Sequence, residues 1–375
     1  MTEQQFIPQP YTHFVDSGSV TWQSPSNIAL IKYWGKKEHQ LPENPSISFT
    51  LNNCKTITTL TFTKKDNHST FDFDVFLDGE KKDDFKSKIQ TFFERVEVYL
   101  PFLKQYYFKI ETSNTFPHSS GIASSASGMS ALALCLMSVE KALSSVGSSV
   151  SLRAESRSET SNDDVYFNKK ASFLSRLGSG SACRSIEGDL VVWGVHQHIE
   201  GSSDLFGIKY PYKVHENFKN YQDTILLVDK GEKQVSSTVG HNLMHGHPFA
   251  QQRFEQAHKN LTALKAILET GNLKAFIELV ESEALTLHAM MMTSRPYFIL
   301  MKPNTLEIIN KIWKFRADSN LNISFTLDAG ANVHILYPKS EASQILEFIK
   351  NELVGYCQNG QYICDEIGFG ANQLS

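Results

Sequence analysis

The chain has 375 residues, a formal net charge of −4 and a pI near 6.4. Its 41% hydrophobic and 20% charged residues are typical of an ordinary globular protein, because a disordered chain has fewer apolar residues and more net charge. The length allows two domains, and the slightly acidic balance argues against a general affinity for nucleic acid or anionic membranes.

The first twenty residues contain neither a basic segment nor an apolar one, so we expect no secretory signal. The longest apolar run, residues 129–139, is too short to cross a bilayer and predicts a buried helix. Five scattered cysteines without CxxC spacing are typical of reduced thiols in a cytosol. These features predict a cytoplasmic protein with no membrane partner.

The first third of the chain is rich in β-branched and aromatic residues with partial alternation, which predicts strands. The predicted strands cover residues 27–34, 55–63, 71–77 and 106–112. Between the last two, apolar residues at helical spacing predict a helix over 85–103. A loop over 116–122 then leads into residues 123–143, whose small and apolar side chains suit a closely packed helix.

A helix over 163–176 and a strand over 187–193 follow, and a Gly-Ser-Ser loop at 201–203 marks the start of the second half. The predicted strands of that half are 223–228, 323–327, 333–337 and 362–367. Its predicted helices are 248–269, 273–291, 304–317 and 341–353. Because strands and helices mix in both halves, we expect an α+β fold.

A phosphate-binding loop is predicted where residues 117–126, Pro-His-Ser-Ser-Gly-Ile-Ala-Ser-Ser-Ala, enter a helix. Small residues let the backbone approach phosphate oxygens, and the N–H groups at a helix start face the anion. Serine hydroxyls can add hydrogen bonds or ligate Mg²⁺. A serine-rich turn that caps the helix accounts for the same residues, and the sequence has no GxxxxGK[ST] motif, so both interpretations stay open.

A second candidate anion site is the segment 178–185, Gly-Ser-Gly-Ser-Ala-Cys-Arg-Ser. Its flexible backbone, its hydroxyls and the guanidinium of Arg184 together suit a phosphate group. The alternative is an ordinary Gly/Ser loop that carries a solvated arginine.

Two charged residues stand in unusual surroundings. Lys32 lies in an otherwise apolar predicted strand, where it would share a face with Trp34, and an ammonium buried without a partner is costly. A lysine that extends to solvent from an edge strand is the alternative. Asp328 ends a predicted strand and precedes Ala-Gly, which suits either a carboxylate in a cleft or a turn-forming residue.

Taken together, these segments resemble the diphosphomevalonate decarboxylases of the GHMP kinase superfamily. The most specific of them is residues 27–36, Asn-Ile-Ala-Leu-Ile-Lys-Tyr-Trp-Gly-Lys. The resemblance continues in the expected order through residues 41–51, 121–128, 178–185, 235–238 and 328–330. It therefore covers nearly the whole chain.

The resemblance implies a two-domain, GHMP-kinase-like α+β fold. An N-terminal domain like ribosomal S5 domain 2 would cover residues 1–203, a ferredoxin-like α/β sandwich would cover 204–375, and the active site would lie in the cleft between them. The implied reaction is the ATP-dependent decarboxylation of (R)-5-diphosphomevalonate to isopentenyl diphosphate, ADP, phosphate and CO₂ through a 3-phosphorylated intermediate, in the mevalonate pathway. ATP and Mg²⁺ are the implied cofactors, and a homodimer is the implied assembly.

The resemblance also implies roles for single residues. Asp328 would face the substrate 3-hydroxyl as base or orienting group, with Lys32 beside it to hold the carboxylate ionised, and Arg184 is the third catalytic candidate. The residues implied to hold the substrate diphosphate and carboxylate are Tyr33, Lys36, Ser179, Ser181 and Arg184. Those implied to hold the ATP phosphates are Ser120, Gly121, Ala123, Ser124 and Ser125. Mg²⁺ would arrive with ATP, with Ser124 or Ser125 as a candidate ligand.

One alternative is another GHMP enzyme, either a mevalonate 3-kinase that stops at the phosphate or a decarboxylase of the monophosphate. The presence of both Lys32 and Asp328 favours the full reaction. Tyr33, Lys36 and Arg184 together favour a diphosphate substrate. Fold alone does not set the substrate, so this alternative stays open.

A metalloenzyme is another alternative, because histidines at i and i+4 can share a helix face and bind zinc. The histidines concerned are His241, His245 and His247, with His196 and His198 in an earlier stretch. The glycines and proline around the first three predict instead an exposed, histidine-rich loop.

A non-catalytic binding protein is the third alternative. Such a descendant would lose Asp328, Lys32 or the pair Ser124 and Ser125, and this chain retains all of them. The chain does depart from the family pattern at Pro45, residues 118–120, Ala331 and residues 294–304.

Overall fold

The computed structural model describes residues 1–117, 122–144, 162–230 and 237–375. Within these ranges the first sheet has the strand order β12-β1-β2-β5-β3-β4, with β6 pairing with β2 and with β7. Its strands are β1 (Ser17–Ile31), β2 (Ser46–Lys64), β3 (Asp72–Leu77), β4 (Glu80–Lys81), β5 (Tyr106–Asn114), β6 (Leu190–Trp193), β7 (Ile208–Lys209) and β12 (Asn372–Gln373). All of these pairs are antiparallel except β3 with β5. The C-terminal strand β12 thus returns the chain to the sheet in which it began.

The second sheet is smaller and wholly antiparallel, with the order β11-β8-β10-β9. Its strands are β8 (Gln222–Leu226), β9 (Ser324–Thr326), β10 (Val333–Tyr337) and β11 (Tyr362–Glu366). The helices of the described ranges are α1 (Lys86–Val96), α2 (Ser124–Ser144), α3 (Asn162–Gly178), α4 (Ser237–Asn242), α5 (Ala250–Thr270), α6 (Leu273–Met292), α7 (Pro303–Ser319) and α8 (Ala342–Phe348). Helix α2 packs on β1 and β2, and α6 packs on β9.

Helix α2 is the buried helix that the apolar run predicted. By length and composition alone it could cross a membrane, but 83% of its most apolar window is buried inside the fold. Small residues such as Ala126, Ala131 and Ala133 are fully buried along it, which lets the helix approach β1 and β2 closely. The apolar character of α2 therefore serves the core.

A shared apolar core joins the two halves of the chain. Ile28 and Ile47 of the first sheet belong to one buried cluster with Ile225 of β8, Leu264 of α5 and Phe276 of α6. Burial of such side chains contributes about 1.5–3 kcal/mol each, so this cluster stabilises the arrangement of the two sheets. The α+β fold with two sheets is confirmed, whereas the division at 203/204 stays a prediction.

Several predicted elements have wrong boundaries, including the strand predicted at 55–63, which begins at Ser46. The strand predicted at 27–34 begins ten residues earlier, at Ser17, and ends at Ile31, so Lys32 and Trp34 lie beyond it and do not share a strand face. The first half of this strand is polar, and its hydroxyls pair across the sheet, as in the 3.0 Å contact between Thr21 and Thr59. It was missed because it lacks the apolar pattern from which strands were predicted. The helix predicted at 85–103 ends at Val96.

Candidate active site

A cavity of about 700 Å³ opens between the two halves of the chain. Residues of β1, β2, β5, α1 and α2 line one side, while Leu287 of α6 and Asp328 line the other. The cations among its described lining residues are Lys32, Lys36, Lys88, Arg95 and Arg184. Asp328 is the single carboxylate among the same residues, so the cavity suits a polyanionic ligand.

Lys32 and Asp328 form an ion pair at the floor of this cavity. The Nζ atom of Lys32 lies 3.0 Å from Oδ1 of Asp328, and the two side chains are 2% and 32% exposed. Burial lowers the pKa of Lys32, and the Asp328 carboxylate opposes that shift. The ammonium is thus enclosed while the carboxylate faces the cavity, so the alternative of a lysine that extends to solvent is wrong.

Asp328 is held through its main chain. Its carbonyl oxygen accepts hydrogen bonds from Nε2 of His288 at 3.1 Å and from the N–H of Gly330 at 2.8 Å. Burial lowers the pKa of His288 to about 4, so the ring is neutral and carries its proton on Nε2. The bend at Gly330 is the predicted turn, and the carboxylate above it still faces the cavity, so both interpretations of Asp328 apply.

Arg184 lies in the short helical segment Gly180–Ser185 and is only 3% exposed, so the alternative of a solvated arginine is wrong. Its Nη1 donates to Oγ of Ser46 at 2.6 Å, and its guanidinium lies 5.7 Å from the centre of the Trp193 ring. Its buried Nε has no hydrogen-bond partner among the described residues. A buried guanidinium with so few partners suits a bound anion.

Tyr33 lines the cavity beside Arg184. Its ring packs against Trp193 and His241, with ring centres 4.6 and 4.1 Å away. The buried hydroxyl has no partner in the described part of the chain. A Cβ at Gly180 would lie 2.9 Å from that hydroxyl, so glycine leaves the room that the tyrosine occupies.

The remaining predicted substrate residues also line the cavity. Lys36 donates from Nζ to Oε1 of Gln40 at 3.2 Å, and burial lowers the pKa of Lys36. Ser179 and Ser181 line the same cavity, and the carbonyl of Ser181 accepts from the side chain of Asn27 at 3.2 Å. The structure therefore brings all five predicted substrate residues to one cavity.

The predicted ATP residues that the structure describes lie at the start of α2. Ala123, Ser124 and Ser125 line the cavity, while Ser120 and Gly121 lie outside the described residues. Helix α2 begins at Ser124, and Ala123 before it has a φ of 46° and a carbonyl that accepts from the N–H of Ala126. The two serines are therefore the first helical residues and not the cap, so the capping interpretation is wrong for them.

Sequence reasoning missed the wall between α1 and the first sheet. Lys88, Thr91 and Arg95 present one face of α1 to the cavity, as their helical spacing allows. The apolar residues of this wall are Val75, Leu77, Ile89, Phe92, Ile110, Met129 and Leu132, and its polar ones are Thr56, Thr58, Thr112 and Asn114. These residues follow ordinary strand and helix patterns, so only the spacing of Lys88, Thr91 and Arg95 could have pointed to them.

The histidine-rich segment is only in part the exposed loop that was expected, because His245 is exposed in the turn after α4 but His247 is buried. His241 lies on α4, is buried, and accepts a hydrogen bond on Nδ1 from the N–H of Gly35 at 3.1 Å. Glycine at position 240 allows α4 to lie this close to Trp34, because a Cβ there would lie 2.5 Å from the Trp34 ring. Within the described ranges no group of three His, Cys, Asp or Glu side chains is placed to hold a metal ion.

Comparison with known proteins agrees with this geometry. The family model "Diphosphomevalonate decarboxylase-like N-terminal domain" matches residues 24–204, and "Mevalonate 5-diphosphate decarboxylase C-terminal domain" matches residues 224–367. The diphosphomevalonate decarboxylase of Ganoderma lucidum is 29% identical over 94% of this chain and 85% of its own length.

Solved structures give the same result. The mevalonate diphosphate decarboxylase of Staphylococcus aureus superposes with a TM-score of 0.78 at 28% identity, covering 96% of this chain and 98% of that one. A structure described as MDDEF in complex with MVAPP, AMPPCP and magnesium has a TM-score of 0.77 at 29% identity and covers 96% and 99% of the two chains. With family models matching both halves, this chain belongs to the diphosphomevalonate decarboxylase family.

Proposed function

We propose that this protein catalyses the ATP-dependent decarboxylation of (R)-5-diphosphomevalonate, which yields isopentenyl diphosphate, ADP, phosphate and CO₂. The observation that carries the proposal is the ion pair of Lys32 and Asp328 at the floor of a cavity lined by cations. The family of the chain and the likeness to a structure described as a complex with MVAPP, AMPPCP and magnesium support the same reaction.

The first step is phosphoryl transfer to the tertiary 3-hydroxyl, which is a poor leaving group until it is phosphorylated. Asp328 orients this hydroxyl and accepts its proton while the oxygen bonds to the γ-phosphorus and ADP departs. Lys32 holds Asp328 ionised and offsets negative charge on the transferring group. In the second step the C3–O bond breaks and phosphate leaves with the electron pair. The electrons of the bond to the carboxylate then form the alkene as CO₂ departs.

Substrate binding falls to Arg184, Tyr33, Lys36, Ser179 and Ser181. A guanidinium can grip two oxygens of a diphosphate or carboxylate at once, and a phenol can donate one further hydrogen bond. The buried Nε of Arg184 and the buried hydroxyl of Tyr33, neither with a partner among the described residues, support this assignment. Exclusion of water at these groups would strengthen their hold on the anion.

The start of α2 is proposed to hold the ATP phosphates through Ala123, Ser124 and Ser125, together with Ser120 and Gly121. The N–H groups of a first helical turn and the helix dipole favour an anion there. Mg²⁺ bound with ATP would neutralise charge on the β- and γ-phosphates, and the hydroxyls of Ser124 and Ser125 are its candidate protein ligands.

The experiment that tests the function is incubation with ATP, Mg²⁺ and, in separate reactions, mevalonate, its 5-phosphate and its 5-diphosphate. We expect CO₂ and ADP in a one-to-one ratio with the diphosphate alone. ADP without CO₂ would identify a 3-kinase, and full turnover of the monophosphate would identify a phosphomevalonate decarboxylase. Turnover of free mevalonate equal to that of the diphosphate would contradict the proposal.

We further propose a cytoplasmic homodimer built from domains 1–203 and 204–375. The free state of Cys54, Cys135, Cys183, Cys357 and Cys364 supports a reducing compartment. Sedimentation equilibrium tests the dimer, and limited proteolysis tests the domain boundary. A mass equal to one chain of 42.3 kDa at micromolar concentration would contradict the dimer.

A further inference from the structure

Lys32 stands just beyond the end of β1, so its main-chain groups need partners outside that strand. Two of these partners are side chains of the second half of the chain. The N–H of Lys32 donates to Oε2 of Glu283 at 2.9 Å, and its carbonyl accepts from Nη2 of Arg253 at 3.0 Å. Asn44 donates to the same carbonyl at 3.0 Å.

The carboxylate of Glu283, on α6, accepts several further hydrogen bonds. Arg253 of α5 binds it bidentately, with Nη1 at 2.9 Å from Oε1 and Nη2 at 2.6 Å from Oε2. Asn260 donates to Oε1 at 2.6 Å, so the carboxylate accepts four hydrogen bonds when that from Lys32 is included. Glu283 and Arg253 are 0% and 2% exposed. A buried ion pair of this kind often stabilises a fold no better than apolar residues would, so stability alone does not account for it.

Helix α6 also holds the other member of the catalytic pair. His288 donates to the carbonyl of Asp328 at 3.1 Å, five residues after Glu283 on the same helix. That spacing corresponds to about 7.5 Å along a helix axis. One rigid helix thus contacts the backbone of both Lys32 and Asp328, which come from opposite ends of the chain.

We infer that Glu283 and His288 are positioning residues that set the distance between the Lys32 ammonium and the Asp328 carboxylate, with Arg253 locking Glu283 in place. This inference rests on the proposed function. Neither Glu283 nor His288 lines the cavity. Their loss should therefore lower kcat, because a displacement of about 1 Å can cost about 10²-fold in rate, while substrate and ATP binding survive.

The test compares Glu283→Gln with Glu281→Gln. Glu281 lies on the same helix and is bound bidentately by Arg316 at 2.6 and 3.1 Å, but it contacts neither Lys32 nor Asp328. Both variants lose a buried carboxylate–arginine pair and should melt at a lower temperature than the wild type. We expect only Glu283→Gln to lower kcat, by at least about 10-fold, with the KM values for ATP and the diphosphate within about threefold of the wild type.

A second comparison covers the case in which Glu283→Gln fails to fold. His288→Leu removes the donor to Asp328, and His288→Gln restores one, so kcat should fall in the first variant and recover in the second. His247→Leu is the matched control, because His247 contacts the carbonyl of Met290 at 3.1 Å and lies outside the cavity. Folded His288→Leu enzyme with wild-type kcat would overturn the inference. Wild-type enzyme that releases no CO₂ from the diphosphate would instead contradict the proposed function.

Discussion

The ammonium of Lys32 lies 3.0 Å from the carboxylate of Asp328, although 296 residues separate the two in sequence. Lys32 follows β1 of the first sheet, and Asp328 follows β9 of the second. The reaction proposed for this cavity therefore depends on the association of both halves of the chain.

Asp328→Asn should abolish turnover and leave both ligands bound. The amide is nearly isosteric but cannot accept the hydroxyl proton, and loss of a general base commonly costs about 10²–10⁴ in rate. Lys32→Met should also lower kcat strongly, and the double variant should be little worse than the worse single one, because coupled groups are not additive. Steady-state kinetics and ligand titrations check this. A folded Asp328→Asn enzyme with more than about a tenth of wild-type kcat would defeat the catalytic role.

Thermal melting should distinguish Asp328→Asn from Lys32→Met. Asp328→Asn leaves the buried Lys32 ammonium without its carboxylate, so the melting temperature should fall. Lys32→Met removes the buried charge and leaves a carboxylate that is 32% exposed, so the melting temperature should stay level or rise. The opposite order would contradict the burial argument.

Arg184→Lys should raise the KM for the diphosphate substrate more than the KM for ATP. Lysine keeps the charge but lacks the planar fork that binds two oxygens at once. Arg316→Lys, on α7 and outside the cavity, is the matched control and should leave both KM values unchanged. If the affinity for ATP falls strongly while the KM for the diphosphate substrate stays constant, Arg184 binds ATP and not the substrate.

Ser124→Ala and Ser125→Ala should impair the use of ATP, at least one of them severely, without loss of stability. Loss of a cap would cost about 1 kcal/mol, but both serines lie inside the first turn of α2. Ser144→Ala, at the exposed end of the same helix, should change neither property. Nucleotide titrations and melting curves measured side by side check this, and a destabilised variant with normal ATP kinetics would favour a structural role.

Acid should destabilise the protein through its buried histidines. Burial lowers the pKa of His241 from 6.5 to about 3, so the unfolded chain takes up a proton between these values while the folded protein does not. The free energy of unfolding should then decrease as the pH falls below 6.5, by about 1.4 kcal/mol per pH unit for each such group. Denaturant titrations from pH 7 to 4.5 measure this slope, which His241→Gln should reduce. A slope that is the same in His241→Gln as in the wild type would contradict this source of acid sensitivity.

The sequence alone determined the family, the α+β class and ten of the residues that line the cavity. Residues 178–185 form a contiguous segment whose residue types suit anion binding, so local chemistry was enough to nominate Arg184. Tyr33 and Lys36 were predicted from the family resemblance that residues 27–36 carry. The buried helix α2 was equally visible, because a long run of small and apolar residues is typical of a helix that packs inside a core.

Only the tertiary structure decided which partners complete the site. Glu283, Arg253 and His288 are single polar residues on helices and resemble ordinary solvated positions in sequence, yet all three are buried against the backbone near Lys32 or Asp328. The wall formed by α1 was hidden for the same reason. Such contacts join residues that are 40 to 251 positions apart in sequence, and no local pattern encodes a hydrogen bond that forms only in the folded chain.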